Sequence, residues 1–343
     1  GVENTVFVPV CVLKKTAVTP NENVIISKCF QKFDRFNFYG KQRKIKNALE
    51  AKVNVENYDL LHAYTVFTDG NCAYGLWKKY NIPYVVAVRN TDVNAFFRYF
   101  PHLRKRGVEI LKNASAVFFL SPAYKEQVLS KYVPKSQRES IAGKSYIIPN
   151  GIDNFWFENL QTEESRTCHD PVRLIFAGRI DANKNITTTQ SAMKLLQDRG
   201  YHTHLTVVGK IADKAVFDRI TQDGHTTYIP PKDKSELIHI YRGSDIFVMP
   251  SHTESFGLVY AEAMSQGLPV IYTRGQGFDG QFPEGEVGFS VNPRSPEEIA
   301  DKIIQVIQNY KIFSPNCRVK CKKFNWDSIV EEYIAIYSKI TKG

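Results

Sequence analysis

The sequence predicts an α/β protein built from two doubly wound domains of parallel strands and covering helices. Short apolar runs alternate with longer amphipathic stretches along the chain, which is the pattern of strand–helix–strand units. The length of 343 residues corresponds to two domains at about 150 residues each. Hydrophobic residues make up 43% and charged residues 23% of the chain, which excludes disordered, collagen-like and coiled-coil proteins.

Strands are predicted in both halves of the chain, with helices between them. In the first half the strand-like runs are Thr5–Val10, Val24–Ile26, Tyr58–His62, Tyr84–Val88, Ala116–Leu120 and Tyr146–Ile148. In the second half they are Val172–Ala177, His204–Val208, Thr226–Ile229, Asp245–Met249, Pro269–Tyr272 and Val287–Val291. Helical patterns include Thr187–Arg199, Lys234–Gly243, Leu258–Gln266 and Pro296–Tyr310.

The segment Ile148–Asp153 contains Pro and Asn-Gly and is therefore predicted to be the turn that joins the two domains. This places a first domain at residues 1–150 and a second at residues 151–325. A final helix at 326–343 is expected to pack back on the first domain. A Gly-rich turn normally follows the first strand of a doubly wound domain, and none precedes residue 60, so the opening strand–helix unit is expected to be absent.

The excess positive charge is confined to the first half. The chain has a net charge of +10, with 23 basic and 11 acidic residues in 1–150 and 22 basic and 24 acidic residues in 151–343. Such an asymmetry predicts an anionic partner for the first half: nucleic acid, a lipid surface or an acidic substrate. Nucleic acid is disfavoured because no helix-turn-helix, RNP or zinc signature is found.

The segment Pro250–Met264 has the pattern strand, polar turn, helix. Such a turn places free backbone N–H groups and a positive helix end at the carboxyl edge of a parallel sheet, where a phosphorylated ligand binds. Glu254 lies on the turn, and Glu262 lies in an apolar helix, where a carboxylate is costly unless it binds something. A ribose diol would suit Glu262. The alternative is one helix-capping and one surface glutamate.

A second strand, turn and helix pattern occupies Phe176–Asn185. Gly178 allows a turn, and Arg179 and Lys184 are placed to reach above the strand ends. Two cations there would compensate a diphosphate, Arg as a fork and Lys as a point charge. The alternative is two solvated basic residues on a loop.

These two motifs, together with Pro149-Asn150-Gly151-Ile152-Asp153, resemble the retaining GT-B glycosyltransferases of family 4. That family has a junction P-N-G-x-D, then G-R with a Lys about five residues on, then E-x-F-G-L-x-x-x-E, and the chain reproduces all three in order. The closing Phe324-Asn325-Trp326 is also similar. The match is strong over the second half and weak over the first. It implies a GT-B fold, in which two Rossmann-like domains face each other across a cleft.

The resemblance also implies roles for individual residues. Arg179 and Lys184 would hold the donor diphosphate and stabilise the leaving group, and Glu254 would contact the transferred sugar. Donor contacts are expected from Gly178, Arg179, Lys184, Ile229, Glu254, Ser255, Phe256, Gly257, Leu258 and Glu262. The family works without a metal, so neither metal nor cofactor is expected. Six cysteines at no metal-ligand spacing agree with this and indicate reduced thiols in a cytoplasmic protein.

The first half departs from the family pattern. Arg89 stands where many members have a His, and Asp92 remains as a residue expected to touch the sugar or the acceptor and is counted with the catalytic set. His62, Arg89, Asn90 and Asn150 are the acceptor-side candidates. A lone His such as His62 is more often structural than functional.

Two stretches of the first half mix aromatic rings with cations. They are Lys28–Tyr39 with Lys41–Lys46, and Phe96–Phe100 with Arg104–Arg106. This composition suits an anionic bilayer surface or a lipid-diphosphate-linked glycan. The alternative is that the rings belong to the core and the cations are merely solvated.

Together these observations predict a retaining, metal-independent hexosyl- or N-acetylhexosaminyltransferase. It would use a UDP-sugar, with a GDP-sugar as the second choice, and a glycan or lipid-linked acceptor in cell-surface polysaccharide or glycoconjugate synthesis. The expected location is the cytoplasm, peripheral to the inner face of the plasma membrane. Two alternatives stay open: a nucleotide-sugar epimerase of similar architecture, and a non-catalytic sugar-nucleotide-binding module that supports a partner enzyme.

Overall fold

The computed structural model describes residues 2–13, 21–162 and 166–342. The chain forms two compact units. Unit 1 comprises residues 1–119, 128–146 and 332–343, and unit 2 comprises residues 120–127 and 147–331. No helix in the described ranges is long and apolar enough to cross a membrane.

The strands are β1 (Val6–Cys11), β2 (Val24–Phe30), β3 (Leu61–Ala63), β4 (Tyr84–Val88), β5 (Ala116–Phe119), β6 (Ser145–Ile147), β7 (Val172–Ala177), β8 (Thr203–Val208), β9 (Thr226–Ile229), β10 (Ile246–Val248), β11 (Val270–Thr273) and β12 (Gly288–Val291). The α-helices are α1 (Phe38–Glu50), α2 (Asp69–Tyr80), α3 (Pro101–Asn113), α4 (Pro122–Lys131), α5 (Lys135–Ala142), α6 (Phe155–Glu158), α7 (Ile186–Asp198), α8 (Lys214–Ile220), α9 (Lys234–Arg242), α10 (Leu258–Ser265), α11 (Pro296–Gln308), α12 (Tyr310–Lys320) and α13 (Trp326–Thr341).

Unit 2 is a doubly wound domain. Its described strands form a six-stranded sheet in the order β9-β8-β7-β10-β11-β12, and every pair in it is parallel. The central strands are continuous apolar runs because helices cover both faces; Leu174 and Ile175 of β7 are fully buried. The chain winds outward in both directions from β7 and β10. The switch in strand order therefore lies between β7 and β10, which is where ligands bind in such sheets.

Unit 1 differs from unit 2 in its strand order. In the described residues, β3 to β6 form one sheet in sequence order, and β1 and β2 form a separate parallel pair. That pair joins the sheet through a hydrophobic cluster rather than through hydrogen bonds. Ile45 of α1 and Leu76 of α2 are buried in this cluster, and Phe7 of β1 and Phe30 of β2 pack against it.

The structure corrects two predictions on local structure. The strand expected at Tyr58–His62 begins only at Leu61, since a short 3-10 turn at Val55–Asn57 precedes it. The helix expected at Pro296–Tyr310 ends at Gln308, and a further helix, α12, follows it. Sequence reasoning missed α12 because Pro315 lies inside it, and proline normally ends a helix. Tyr310, Phe313 and Cys317 nevertheless form one buried face of α12, at helical spacing.

The final helix α13 packs against different parts of the chain at its two ends. At its start, Trp326 lies against Gly151, where a Cβ would fall 2.7 Å from the indole ring. The P-N-G-x-D junction and the closing F-N-W motif are therefore in contact within unit 2. Later in the helix, Tyr333 packs edge-on against Phe118 of unit 1, with ring centroids 4.9 Å apart.

Candidate functional site

Two loops leave the sheet of unit 2 on either side of the switch point. One follows β7 and runs from Gly178 to Asn185, and the other follows β10 and runs from Met249 to Gly257. They are the two segments that the sequence singled out. Both extend from the carboxyl ends of their strands, because all pairings in this sheet are parallel.

Asparagine side chains join the two loops. The side-chain amide of Asn183 donates to the backbone carbonyl oxygen of Thr253 (2.9 Å) and accepts the backbone N–H of Thr253 (3.1 Å). The backbone carbonyl of Asn183 accepts the N–H of His252 (2.8 Å). Asn185 has a left-handed backbone (φ 57°) and donates to the carbonyl oxygen of Pro250 at 2.9 Å. Sequence reasoning missed both residues, although they flank Lys184 directly. They fix the position of the loop that carries Glu254.

Lys184 and Glu254 form an ion pair at the centre of this arrangement. Lys184 Nζ lies 2.6 Å from Glu254 Oε2, and the side chains are 17% and 10% exposed. The other carboxylate oxygen, Oε1, accepts the backbone N–H of Ser255 at 2.9 Å. The structure therefore brings together the two charged residues predicted to hold the diphosphate and the sugar. An anionic ligand at this point would compete with Glu254 for the lysine.

Arg179 lies apart from this ion pair. Its side chain is 66% exposed, and its Nε donates to Asp181 Oδ2 at 2.7 Å. Gly178, one residue earlier, lies in close contact with the end of the neighbouring strand: a Cβ on Gly209 would fall 1.7 Å from the Gly178 carbonyl oxygen. The ends of β7 and β8 therefore meet backbone to backbone. Ile229, at the end of β9, is half-buried, and its carbonyl accepts the Gly209 N–H (3.1 Å).

The turn before α10 can offer its backbone to a ligand but not its aromatic side chain. Phe256 is 2% exposed and packs against Phe278 and Phe324. Gly257 has a positive φ of 79°, and a Cβ there would fall 2.4 Å from the Tyr260 ring, so glycine is required. Leu258 is 38% exposed. Binding of the donor through the N–H groups of this helix start stays a prediction.

A third loop, after β11, supports the Glu254 turn and was not predicted. Gln276 Oε1 accepts the backbone N–H of Glu254 at 3.0 Å, and Thr273 Oγ1 donates to the Ser251 carbonyl at 2.6 Å. Gly277 lies so close that a Cβ would fall 1.9 Å from the Ser255 carbonyl oxygen. No local pattern in the sequence indicated this support, because Gln276 lies 22 residues from its partner.

Glu262 is half-buried on α10. The pKa of its carboxyl is raised to about 7, mainly because burial disfavours the charged form. The charge of Lys234 lowers this pKa, and the charge of Asp153 raises it. Lys234 and Asp153 form an ion pair with each other. Among the described residues, no group donates a hydrogen bond to the Glu262 carboxylate. This is the behaviour expected of a carboxylate that is kept for a ligand.

In unit 1, Asp92 has structural partners. It is 1% exposed, and its two oxygens accept the N–H groups of Arg89 (2.9 Å) and Phe67 (3.2 Å). Burial raises the pKa of this carboxyl to about 7 despite these hydrogen bonds. Both oxygens hold backbone amides of the loops after β3 and β4, which positions these loops. The expected contact of Asp92 with a sugar or the acceptor stays a prediction.

His62 lies in an aromatic cluster of unit 1. Its Nδ1 is 2.5 Å from the Tyr337 hydroxyl of α13, and its ring stacks on Tyr64 with centroids 4.4 Å apart. Burial, assisted by the charge of Arg89, lowers the pKa of His62 to about 4, so the imidazole is neutral at pH 7. Its Nε2 is buried and has no hydrogen-bond partner in the described part of the chain.

The remaining acceptor-side candidates come from both units, Arg89 and Asn90 from unit 1 and Asn150 from unit 2. Arg89 Nε donates to the Tyr64 carbonyl oxygen at 3.3 Å, and Asn90 Oδ1 accepts from the Asn94 amide at 2.5 Å. Asn150 is half-buried and belongs to unit 2. Within residues 2–13, 21–162 and 166–342, no three His, Cys, Asp or Glu side chains cluster as metal ligands would. Metal independence stays a prediction.

Two family models cover most of the chain. The model described as "Glycosyltransferase Family 4" matches residues 2–154, and the model described as "Glycosyl transferases group 1" matches residues 158–324. The capsular polysaccharide biosynthesis glycosyltransferase CapM of Staphylococcus aureus is 27% identical over 67% of this chain and 63% of its own length. The D-inositol 3-phosphate glycosyltransferase of Paenarthrobacter aurescens is 25% identical over 83% of this chain and 74% of its own length.

Solved structures show the same architecture. Sucrose-phosphate synthase from Thermosynechococcus elongatus has a TM-score of 0.70 at 20% identity, and the match covers 94% of this chain and 85% of that one. Anabaena HepE in complex with UDP has a TM-score of 0.70 at 14% identity, over 98% of this chain and 100% of that one. With the loop geometry of unit 2, these matches lead to one conclusion: the chain has the GT-B fold and belongs to glycosyltransferase family 4.

Proposed function

We propose that the protein is a retaining glycosyltransferase that uses a UDP-sugar without a metal. The observation that carries this proposal is the arrangement at the switch point of unit 2. Lys184 and Glu254 are paired at 2.6 Å beside a helix start, and the half-buried carboxylate of Glu262 lies further along that helix. A cation, the start of a helix and a carboxylate without a hydrogen-bond donor among the described residues match a diphosphate, a transferred sugar and a ribose in one ligand.

In the proposed mechanism, the donor diphosphate draws Lys184 away from Glu254. Lys184 and the N–H groups at the start of α10 then stabilise the negative charge that develops on the departing phosphate. Arg179, which is exposed on the first loop, adds a second cation. Glu254 becomes available to the hydroxyls of the transferred sugar. As the bond between the anomeric carbon and the phosphate oxygen breaks, the acceptor hydroxyl attacks that carbon from the same face and passes its proton to the departing phosphate oxygen, which retains the anomeric configuration.

Glu262 determines the fit of the nucleoside in this proposal. An ionised carboxylate accepts two hydrogen bonds from a cis-diol, which also repays the cost of burying its charge. The base would lie near Ile229. UDP is favoured over GDP because pyrimidine donors are the commoner choice in polysaccharide synthesis, and HepE of the same fold has been solved with UDP. The transferred group is a hexosyl or N-acetylhexosaminyl residue.

We also propose a glycan or lipid-linked acceptor in cell-surface polysaccharide or glycoconjugate synthesis. The name of the CapM relative supports this class of product, although the chain spans less than two thirds of that protein. His62, Arg89, Asn90 and Asn150 stay predictions for the acceptor side. A cytoplasmic protein that meets an anionic membrane surface through its basic N-terminal half would have access to such an acceptor.

Calorimetric titration with UDP, GDP, ADP and TDP in the absence of metal tests the donor site. We expect selective binding of UDP that Lys184→Ala and Arg179→Ala both weaken. Lys311→Ala is the matched control, because this exposed lysine of α12 belongs to neither loop nor to the strands and helices that flank them. Binding of no nucleotide by the intact chain would contradict the proposal.

Turnover then separates the remaining alternatives. A transferase consumes a UDP-sugar only with an acceptor, or by slow hydrolysis, and releases UDP. An epimerase would interconvert the sugar while it stays attached to the nucleotide. Nucleotide binding without UDP release, with glycan and lipid-linked acceptors supplied, would favour a non-catalytic module.

A further inference from the structure

Five exposed aromatic rings of unit 1 come from two separate segments. Phe33 is 78% and Phe36 is 84% exposed, both on a short 3-10 turn, and Tyr39 at the start of α1 is 57% exposed. Tyr99 and Phe100, between β4 and α3, are 63% and 42% exposed. We name these five residues the aromatic surface. Rings at this level of exposure do not contribute to a core, so each costs solvation free energy unless it is covered.

Half-buried rings connect the two segments. Phe38 lies next to Tyr39 with ring centroids 5.2 Å apart, and it contacts Phe96 of the second segment at 6.2 Å. Phe96 in turn contacts Phe100 at 5.5 Å. Tyr39 of the first segment and Phe100 of the second, about 60 positions apart in sequence, are therefore linked through Phe38 and Phe96. Phe97 differs, because it is fully buried and stacks on Tyr132, so it belongs to the core.

The charge around the aromatic surface has one sign. Residues 28–46 contain seven Lys and Arg and one acidic residue, Asp34, and residues 96–106 contain four Lys and Arg and no acidic residue. Asp34 is already paired with Lys44 at 2.7 Å and caps the Gln31 N–H.

Not all of these cations face solvent. Arg104 donates to the Phe97 carbonyl at 2.6 Å and Arg106 to the Asn71 side chain at 2.7 Å, and both are half-buried. The exposed cations are Lys28, Lys32, Arg35, Arg43, Lys44, Arg98 and Lys105, of which Lys44 is paired with Asp34.

We propose that the aromatic surface is a docking site for an anionic lipid bilayer. The rings would enter the headgroup region, and the surrounding cations would meet lipid phosphates. Charge complementarity favours this partner. The exposed rings are surrounded by cations, and an anionic bilayer has negative headgroups at its surface and apolar chains below them. The inference rests on the proposed function for its purpose, which is to hold the enzyme where a lipid-linked acceptor resides.

Co-sedimentation with vesicles tests this docking site. The intact chain should bind phosphatidylcholine vesicles that contain about 30% phosphatidylglycerol and should not bind pure phosphatidylcholine. The double variant Phe33→Ser/Phe36→Ser should lose about tenfold or more in partitioning, since two rings no longer enter the headgroup region. Ile312→Ser/Val319→Ser on α12 of unit 2 is the matched control, because these side chains are 60% and 62% exposed. It should bind as the intact chain does.

Several results would overturn the inference: equal binding to neutral and anionic vesicles, undiminished binding of the Phe33/Phe36 variant, or binding to duplex DNA but not to vesicles. Unchanged melting temperatures show that the variants are folded. UDP calorimetry on the same samples keeps the two proposals distinguishable. A chain that binds UDP but no vesicle refutes the docking site alone, and a chain that binds vesicles but no nucleotide refutes the donor site alone.

Discussion

Two carboxylates, one in each unit, have pKa values near 7 for the same reason and yet differ in what surrounds them. Burial raises the pKa of both Asp92 and Glu262. The Asp92 carboxylate accepts hydrogen bonds from two backbone N–H groups, and these hydrogen bonds explain its burial. Glu262 has no such donors in the described residues. A costly buried group is therefore a candidate for ligand binding when its own chain leaves it unsatisfied, and burial or pKa alone does not decide this.

The loops at the strand ends of the two units also differ in whether neighbouring residues of the chain already hold their side chains. In unit 2, the loops after β7 and β10 bind each other through Asn183 and present the Lys184–Glu254 pair. In unit 1, the side chains at the strand ends are engaged by their own neighbours. His62 is held by Tyr337 and stacks on Tyr64. We therefore expect substitutions in unit 2 to change donor use and those in unit 1 to change stability first.

The largest effect is expected for Lys184→Ala. Removal of the cation that stabilises the departing diphosphate should lower kcat by about 10²- to 10³-fold. Arg89→Ala in unit 1 should lower kcat by less than about tenfold, because Arg89 is not expected to touch the donor. Steady-state release of UDP from a UDP-sugar measures both.

Loss of stability must be separated from loss of catalysis for Lys184, since its removal leaves Glu254 buried without a partner. Lys184→Ala combined with Glu254→Gln should restore the melting temperature but not kcat. Recovery of kcat in this double variant would contradict the catalytic role of the lysine.

Separate substitution of the two carboxylates tests the comparison between Glu262 and Asp92 directly. Glu262→Gln should weaken UDP binding by about 1–3 kcal/mol and leave the melting temperature unchanged or higher, because a buried charge is removed. Asp92→Ala should leave UDP affinity unchanged and lower the free energy of unfolding by about 1–3 kcal/mol, since it orphans buried N–H groups. Calorimetry and urea denaturation measure these quantities. A variant of Asp92 that weakens UDP binding without destabilising the fold would reverse the two assignments.

The pH dependence of the two groups should also differ. Glu262 must be ionised to accept the ribose hydroxyls, so a pKa of about 7 predicts that UDP affinity rises about tenfold between pH 6 and 8. The Glu262→Gln variant corrects for titration of the nucleotide itself and should lose this increment. For Asp92 the native pKa lies above the ordinary value of 3.8. Its contribution to stability is therefore fully present below about pH 4 and is lost as the pH rises through 7.

The smallest effect is expected for Gln276→Ala. Gln276 holds the backbone of Glu254 by one hydrogen bond, so its loss should lower kcat by about fivefold and leave UDP affinity nearly unchanged. Gln281→Ala, on the same loop, is a control for general loosening of the segment, because its amide donates to the Leu120 carbonyl and not to the Glu254 turn. An equal loss of kcat in both variants would contradict a specific role for Gln276.

A feature could be predicted from the sequence when the residues that form it lie close together along the chain. The loops at 178–185 and 250–257 were predictable because a buried strand, a polar turn and a helix start lie within about fifteen residues. The support from Gln276 was not, since its partner is 22 residues away and no local pattern indicates it. The local sequence pattern also does not predict which aromatic residues are buried. Phe97 is buried and Phe36 is exposed, although both lie in segments that mix aromatic residues with Lys and Arg.

The contact between His62 and Tyr337 has a consequence for biosynthesis. The two residues are 275 positions apart, and all of 147–331, most of unit 2, is translated between them. At typical rates of chain elongation, this interval lasts on the order of 10 to 60 s. Throughout that time the aromatic cluster of unit 1 lacks the two rings that α13 contributes, Tyr333 and Tyr337, and is open to solvent on the nascent chain. Ribosome-bound chains that stop before Tyr333 should therefore recruit chaperones more strongly than full-length chains do.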